Sequence, residues 1–329
     1  MPKVITMGEA LIDFIPGQVD CPLSEVEDFK RAPGGAPANV AVGLARLGVK
    51  AGFMGKVGQD AFGVFLKKTL VENRVDTSQL IQSRKAMTTL AFVSLRSDGE
   101  RDFAFYRNPG ADNLYRVEEV DLNYLSQASV FHFGSITLIS EPVRTTTIHL
   151  VKEAQKRNLL ISFDPNIRPP LWPSINKAVQ EILGMLPEVI LVKVNEEELF
   201  TLTGQSVVFT GIDSRFIEAC AELERLGPEM IAVTLGARGS YFYTRQVQGY
   251  VPGFSCRAVD TTGAGDGFMA GLITKIMERN KTLSAFTAED CVECFRFANR
   301  VGAIAATRNG GIPSLPTLTE VQKGVNLYS

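Results

Sequence analysis

Apolar and polar positions follow two rhythms along this chain, and the changes between them mark its elements. Short apolar runs at 3–8, 51–57, 130–133, 160–163, 189–194 and 231–235 have the length and composition of buried strands. Between them the period lengthens. Val40, Leu44 and Leu47 share one face of a helix predicted over 39–47, with Gly48 as its stop, and Phe62, Phe65, Leu66 and Leu70 share the inner face of another over 60–72. Helical patterns recur over 141–157, 214–226 and 288–307, and an apolar helix carrying Phe268, Leu272 and Ile276 begins near Asp266. Continuous apolar strands alternating with helices predict an α/β fold, a mainly parallel central sheet flanked by helices on both faces.

Two stretches break the rhythm. Segments 89–95 and 101–106 flank Ser97-Asp98-Gly99-Glu100, a strong hairpin signal. Residues 13–33 read as irregular and partly acidic. A late hairpin is expected from 241–243 and 249–251, after which two helices close the chain. No repeats, low-complexity tracts or linkers divide the sequence, so residues 1–329 read as a single domain. Its small β appendage would come from insertions at about 13–33 and 87–113. Insertions placed after strands lie near the carboxyl ends of the sheet, where ligands bind in such folds, which makes the appendage a lid.

Composition narrows the function classes. At 45% hydrophobic and 21% charged, with net charge −2, the chain gives no reason to expect nucleic acid or an anionic membrane as partner. There is no apolar run of ~18 residues to suggest a membrane helix, and Glu9 and Asp13 interrupt any signal-peptide core. A cytosolic, cytoplasmic chain is expected. Five scattered cysteines do not form a disulfide framework. Cys291 and Cys294 make one CxxC inside a helical pattern, with no second CxxC, and neither His132 nor His149 lies at a metal-finger spacing; they read as buried thiols.

Chemistry concentrates in two glycine-rich stretches. In DTTGAGDGFMAG, from Asp260, three glycines surround Asp266 where a helix begins. Free N–H groups at such a turn favour an anion, so a carboxylate there needs explaining. A Walker A loop is absent, since Gly55-Lys56 is followed by Val57. Gly265, Gly267 and Ala270 make a GxGxxA, but too little chain follows for a dinucleotide fold. The second stretch, APGGAPANVAVGLARLG from Ala32, would let a ligand approach Gly34 and Gly35 while Asn39 either hydrogen-bonds it or caps the helix.

Together these stretches resemble the two signatures of the ribokinase-like (PfkB) carbohydrate kinase family. The resemblance spans the chain, with VNEEE (from Val194), TLGARG (from Thr234) and FANRVGAIAATRNGG (from Phe297) falling in the family's order. It implies a ribokinase-like fold that phosphorylates a sugar with ATP. Asp266 would be the general base, the Gly263, Ala264 and Gly265 N–H groups an anion hole for the phosphoryl group in flight, and Arg168 a phosphate contact. Asp13, Gly34, Gly35, Asn39, Phe105, Arg107 and Asn108 would meet the sugar. Asn195, Thr234, Gly236, Gly239 and Asn299 would meet ATP. Asn195 and Glu198 would organise Mg²⁺ through water, and Asp260, Thr262, Ala306, Asn309, Gly311 and Ser314 would surround a monovalent cation, K⁺. The phrases FAFYRNPGAD and FDPNIRPPLWPS are most similar to the fructokinase branch, which implies D-fructose phosphorylated at its 6-hydroxyl. Kinases of 2-keto-3-deoxygluconate, with Arg107 holding the carboxylate, and of aminoimidazole riboside stay open, as does an inactive kinase-fold scaffold. A homodimer formed by lids paired edge to edge is also open.

Overall fold

The computed structural model describes residues 2–18, 20–95, 101–205 and 211–323. The elements of the first half are β1 (Val4–Met7), β2 (Leu11–Pro16), β3 (Phe29–Gly34), α1 (Ala36–Arg46), β4 (Ala51–Gly58), α2 (Ala61–Glu72), β5 (Leu80–Ser83), β6 (Leu90–Leu95) and β7 (Arg101–Tyr106). Next come β8 (Val130–Gly134), α3 (Val143–Lys156), β9 (Leu160–Asp164), α4 (Ile175–Met185), β10 (Leu191–Asn195), α5 (Glu196–Thr203) and α6 (Ser214–Arg225). The chain continues through β11 (Met230–Thr234), β12 (Gly239–Thr244), β13 (Gln248–Pro252), α7 (Ala264–Arg279) and α8 (Ala288–Ala306). Two short helices, α9 (Gly311–Ser314) and α10 (Leu318–Lys323), follow the pair expected to close the chain.

The large sheet runs β13-β12-β11-β10-β9-β8-β1-β4-β5. Every pairing from β11 to β5 is parallel, whereas β12 and β13 add an antiparallel margin. Its carboxyl edge therefore lines up the ends of β1, β8, β9, β10 and β11. One face packs α3, α4, α5 and α6 over Phe131, Phe133 and Phe163, with the last two rings stacked 4.5 Å apart. The other face packs α1, α7 and α8 over Phe242, Phe268 and Phe295. Each such ring removed from water contributes about 1.5–3 kcal/mol, so the sheet is fixed by aromatic layers above and below.

A separate four-stranded sheet has the order β3-β2-β6-β7. β2 pairs antiparallel with β3 and parallel with β6, and β6 pairs antiparallel with β7. Successive strand residues face opposite sides. Asp13, Ala32, Ala91 and Phe105 stand in one cross-strand row. The other side carries Phe14 stacked on Phe92 at 4.8 Å, with Phe29, Tyr106 and Phe62 of α2 meeting them edge-on. That aromatic seam holds the small sheet to α2.

Most expected elements appear with ends shifted by a few residues. The irregular reading of 13–33 is corrected: its two ends are strands, β2 and β3. β3 lies at the sheet's edge, where Pro33 does not interrupt a ladder on its outer side. The expected turn at Ser97–Glu100 lies outside the described residues. Helix α1 begins at Ala36, three residues before the position expected, so Asn39 is not its cap. Cys291 and Cys294 are buried free thiols, as read from the helical pattern.

Candidate active site

The carboxyl edge of the large sheet and the Asp13 row of the small sheet enclose one cavity of about 870 Å³. Its lining runs from Asp13 and Phe105 past Asp266 to Gly239 and Asn299. Among the described residues no helix is long and apolar enough to cross a membrane.

Asp266 sits in the first turn of α7 and is 8% exposed. Asn39 Nδ2 donates to its Oδ2 at 2.7 Å, joining residues 227 positions apart. Burial raises the Asp266 carboxyl above the ordinary aspartate range, while the Asn39 hydrogen bond, Lys193 and Arg168 pull it back. A carboxyl raised in this way and held by an amide donor is suited to accept a proton. The turn before it requires glycine at 263: φ is +79°, and a Cβ would lie 3.1 Å from Gly311 and 3.2 Å from Ser314 Oγ. Of the three N–H groups expected in the anion hole, that of Ala264 already donates to the Thr261 carbonyl at 3.2 Å.

A buried ion pair escaped the sequence reading. Lys193 Nζ lies 2.9 Å from Asp164 Oδ2, with both side chains almost wholly enclosed, and Lys193 lines the cavity. Burial opposes the lysine's charge, yet Asp164, Glu198 and Asp266 outweigh it and raise the ammonium's pKa. Burial also pushes the Asp164 carboxyl up to about 7 against the pull of Lys193. A Cβ on Gly265 would come within 3.2 Å of Lys193 Nζ, so the ammonium stands against the glycine turn. The signal was present in the sequence: a lysine inside the apolar strand LVKVN needs a buried partner. Arg168 also lines the cavity.

Asn195 and Glu198 form a reciprocal cap at the start of α5. Asn195 Oδ1 accepts the Glu198 N–H at 2.7 Å, and Glu198 Oε2 accepts that of Asn195 at 2.9 Å. Glu198 Oε1 accepts from Ile167 N–H at 2.7 Å, which ties α5 to the Arg168 loop. Asn195 borders the cavity with Glu196 and Glu197, while Glu198 lies beneath them. No group of three or more His, Cys, Asp or Glu side chains placed to hold a metal ion is found among the described residues. A divalent ion held here would have to keep water in its coordination shell.

At the small-sheet end, Asp13, Gly35, Asn39 and Phe105 line the cavity. Gly34 lies behind Asp13, where a Cβ would fall 2.1 Å from Oδ2. Arg107 and Asn108 do not border the cavity. The Arg107 guanidinium pairs instead with Asp112, Nε donating to Oδ2 at 2.8 Å and Nη2 standing 2.7 Å from the same oxygen, although Nη2 is buried without a formed hydrogen bond.

At the far end Thr234, Gly236, Gly239, Gly253 and Asn299 line the wall. Asn299 Nδ2 donates to the Val251 and Pro252 carbonyls at 3.1 and 3.2 Å, fixing α8 to β13. Several of the residues expected around a monovalent cation are hydrogen-bonded within one loop cluster. Asp260 accepts the Thr262 and Gly310 N–H groups at 2.7 and 2.8 Å, and the Ala306 carbonyl accepts those of Val259 and Asp260. Ser314 Oγ donates to the Gly311 carbonyl at 2.7 Å. Asn309 lies in the same loop, between Ala306 and Gly311. Such a weave of carbonyls and one carboxylate is a hard-oxygen environment.

A family model described as pfkB family carbohydrate kinase matches residues 1–318. The chain belongs to the pfkB family. Fructokinase-1 of Zea mays is 44% identical to this pfkB kinase over 318 residues, covering 97% of this chain and 96% of that one. Probable fructokinase-4 of Arabidopsis thaliana is 43% identical over 319 residues, covering 97% and 95%. Among solved structures, a fructokinase from Xylella fastidiosa with bound ATP superposes with TM-score 0.86 at 35% identity, covering 98% of each chain. A Vibrio cholerae fructokinase in a form with fructose, ADP and calcium ion bound gives TM-score 0.84 at 30% identity, again over 98% of each. The ribokinase-like architecture of the pfkB kinases is thus the fold of this chain.

Proposed function

We propose that this pfkB kinase transfers the γ-phosphoryl group of ATP to the 6-hydroxyl of D-fructose. The observation that carries the reading is Asp266 at the head of α7, bound to Asn39 and bordering a cavity with room for sugar and nucleotide together. The full-length likeness to plant and bacterial fructokinases supports fructose as the acceptor.

Asp266 takes the proton of the 6-hydroxyl as its oxygen forms a bond to the γ-phosphorus. The bond from that phosphorus to the β,γ-bridging oxygen breaks, and ADP leaves with the electron pair. The Gly263 and Gly265 N–H groups, with Ala264 shared with Thr261, face the charge that develops. Lys193 and Arg168 supply positive charge on the same side. Asp13 accepts sugar hydroxyls, Phe105 packs on the ring, and Thr234, Gly236, Gly239 and Asn299 hold the nucleotide. Mg²⁺ would be held through water at the start of α5, with Asn195 at the cavity wall and Glu198 fixing it from behind, and would there neutralise phosphate charge. K⁺ would be held by the Asp260–Thr262 and Ala306–Ser314 oxygens, which anchor the anion-hole turn. The small sheet serves as a lid, and β3 and β7, at its edges, would be the strands to pair with a second copy in a homodimer. Because Arg107 pairs with Asp112 and does not border the cavity, a carboxylate substrate such as 2-keto-3-deoxygluconate is disfavoured.

The test is ADP release from Mg-ATP with K⁺, comparing D-fructose, 2-keto-3-deoxygluconate, aminoimidazole riboside, ribose and no sugar. Turnover with fructose far above the others is expected. A preference for the keto-acid would restore Arg107 as a clamp. Folded protein that binds ATP and turns over no sugar would make the chain a scaffold.

A further inference from the structure

The carboxylate directly after the turn that ends β1 is only half used. Glu9 follows Gly8, lines the cavity beside Asp13, Gly35, Ala36 and Asn39, and is 2% exposed. Its Oε1 accepts the Ala36 N–H at 3.0 Å. That bond caps α1 from outside the helix, because the cap position is Gly35, which has no side chain to do so. Its Oε2 is buried and has no hydrogen-bond partner. A dry carboxylate oxygen carries the full cost of lost hydration, so it marks a place that something else completes.

The surroundings narrow what that is. Arg107 and Asp112 beside Glu9 form an ion pair, with Arg107 Nη2 buried and making no hydrogen bond to Glu9 or to any other group, and Thr89 Oγ1 donates to Asp112 Oδ1 at 2.5 Å. Burial pushes the Glu9 carboxyl up to about 7, its own N–H and Arg107 drawing it back and Asp112 pushing it further. No acidic or histidine cluster is present to share a metal ion among the described residues. What fits a single acceptor in a dry wall next to Asp13 is a neutral O–H donor.

We propose that Glu9 is a sugar-contacting, specificity-determining residue, with Oε2 accepting a hydroxyl that is not the one phosphorylated while Oε1 stays on α1. The inference rests on the sugar-kinase reading and extends it to a second carboxylate. One side chain then both reads the sugar and sets the start of the helix that carries Asn39 to Asp266.

The experiment measures kcat/KM for D-fructose, for its 1-, 3- and 4-deoxy analogues and for 2,5-anhydro-D-mannitol, which lacks the anomeric hydroxyl. It is run with the unmodified protein and with Glu9→Gln, whose amide oxygen can still cap α1. The unmodified protein should lose ~10–100-fold on the analogue missing the contacted hydroxyl, as expected for a charge-assisted bond. Glu9→Gln should lose markedly less on that analogue alone, with KM for ATP unchanged. Equal fold-losses in both proteins for every analogue would overturn the proposal and leave Glu9 as a cap. If Glu9→Gln does not fold, Glu9→Asp, which withdraws the carboxylate by one methylene, is judged by the same criterion. An unmodified protein inert toward every sugar would instead remove the kinase reading, and this proposal with it.

Discussion

The two ends of the cavity are built from different parts of the polypeptide. At the end proposed for the sugar the wall carries the charged and amide side chains Glu9, Asp13, Asn39, Lys193 and Asp266 beside Leu11, Phe105 and Ile136. At the end proposed for the nucleotide it is richer in small residues, Gly236, Gly239, Gly253, Ala303 and Ala306, with Thr234, Asn299 and the Glu196–Glu197 carboxylates. Proton transfer needs groups whose ionisation can be tuned, and only side chains offer that. Nucleotide recognition needs backbone that can come close to a flat ring and a phosphate chain, which side chains would obstruct. The same division predicts how each end fails. Substitution at the sugar end should damage chemistry with ATP binding kept, whereas substitution at the nucleotide end should do the reverse.

The largest effect is expected at the charged end. Asp266→Asn keeps shape and the Asn39 neighbourhood while removing the base, so kcat should fall ~10²–10⁴-fold with ATP affinity little changed. In the unmodified protein the base must be ionised, so activity should fall as pH drops. Because burial raises its pKa, that acid limb should lie above the ordinary aspartate range. A pH-rate profile in which the limb survives in Asp266→Asn would break the assignment.

Next comes the ion pair. Lys193→Met leaves Asp164 buried without its partner, which costs about 3–5 kcal/mol when the remaining group stays charged. Asp164 already has its carboxyl pushed up to about 7, so it can escape by taking a proton. The loss of Tm should therefore be greater at pH 8 than at pH 5; an equal loss at both would mean the pair is not ionised.

At the other end, Gly239→Ala tests backbone in place of charge. Gly239 has φ +114°, and a Cβ would lie 2.3 Å from the Val251 carbonyl oxygen and 2.4 Å from Gly253 N. Strain of about 1–3 kcal/mol is expected, with KM for ATP raised more than KM for the sugar. The opposite order would erase the contrast between the ends.

Smaller again is the lid. Sugar should slow proteolysis within 87–110, and digestion at an unchanged rate would mean that the small sheet does not close. The smallest effect concerns Glu9. Its folded carboxyl is raised to about 7 from an unfolded value near 4.5, so the folded state holds the extra proton between them. That group should cost stability progressively as pH rises through this window, with Arg107 and Asp112 as its charged neighbours. The Tm of Glu9→Gln relative to the unmodified protein should accordingly rise with pH, and a flat difference would show the carboxyl is not shifted.

What a single sequence reveals depends on how local the cause is. The glycine spacing around Asp266 is local, because one turn must put its N–H groups and a carboxylate at a helix start, and it was legible. So were the parallel strands, whose apolar runs follow from burial on both faces. β3 was not, since an edge strand reading FKRAPG carries charges and a proline where no alternation is enforced. Arg107 was expected to meet the sugar from the family resemblance, but it pairs with Asp112 five residues on and does not border the cavity. Lys193 left a trace, a charge in an apolar strand, without naming its partner.

By itself the sequence determined the layered α/β fold and the two glycine turns, because periodicity and backbone freedom act over a few residues. Only the tertiary structure decided which charges meet. Asn39 reaches Asp266, Lys193 reaches Asp164 and Glu9 reaches Ala36 across separations that no local rule spans. Their ionisation states follow from burial, which exists only once the sheet, its helices and the small sheet have closed around them.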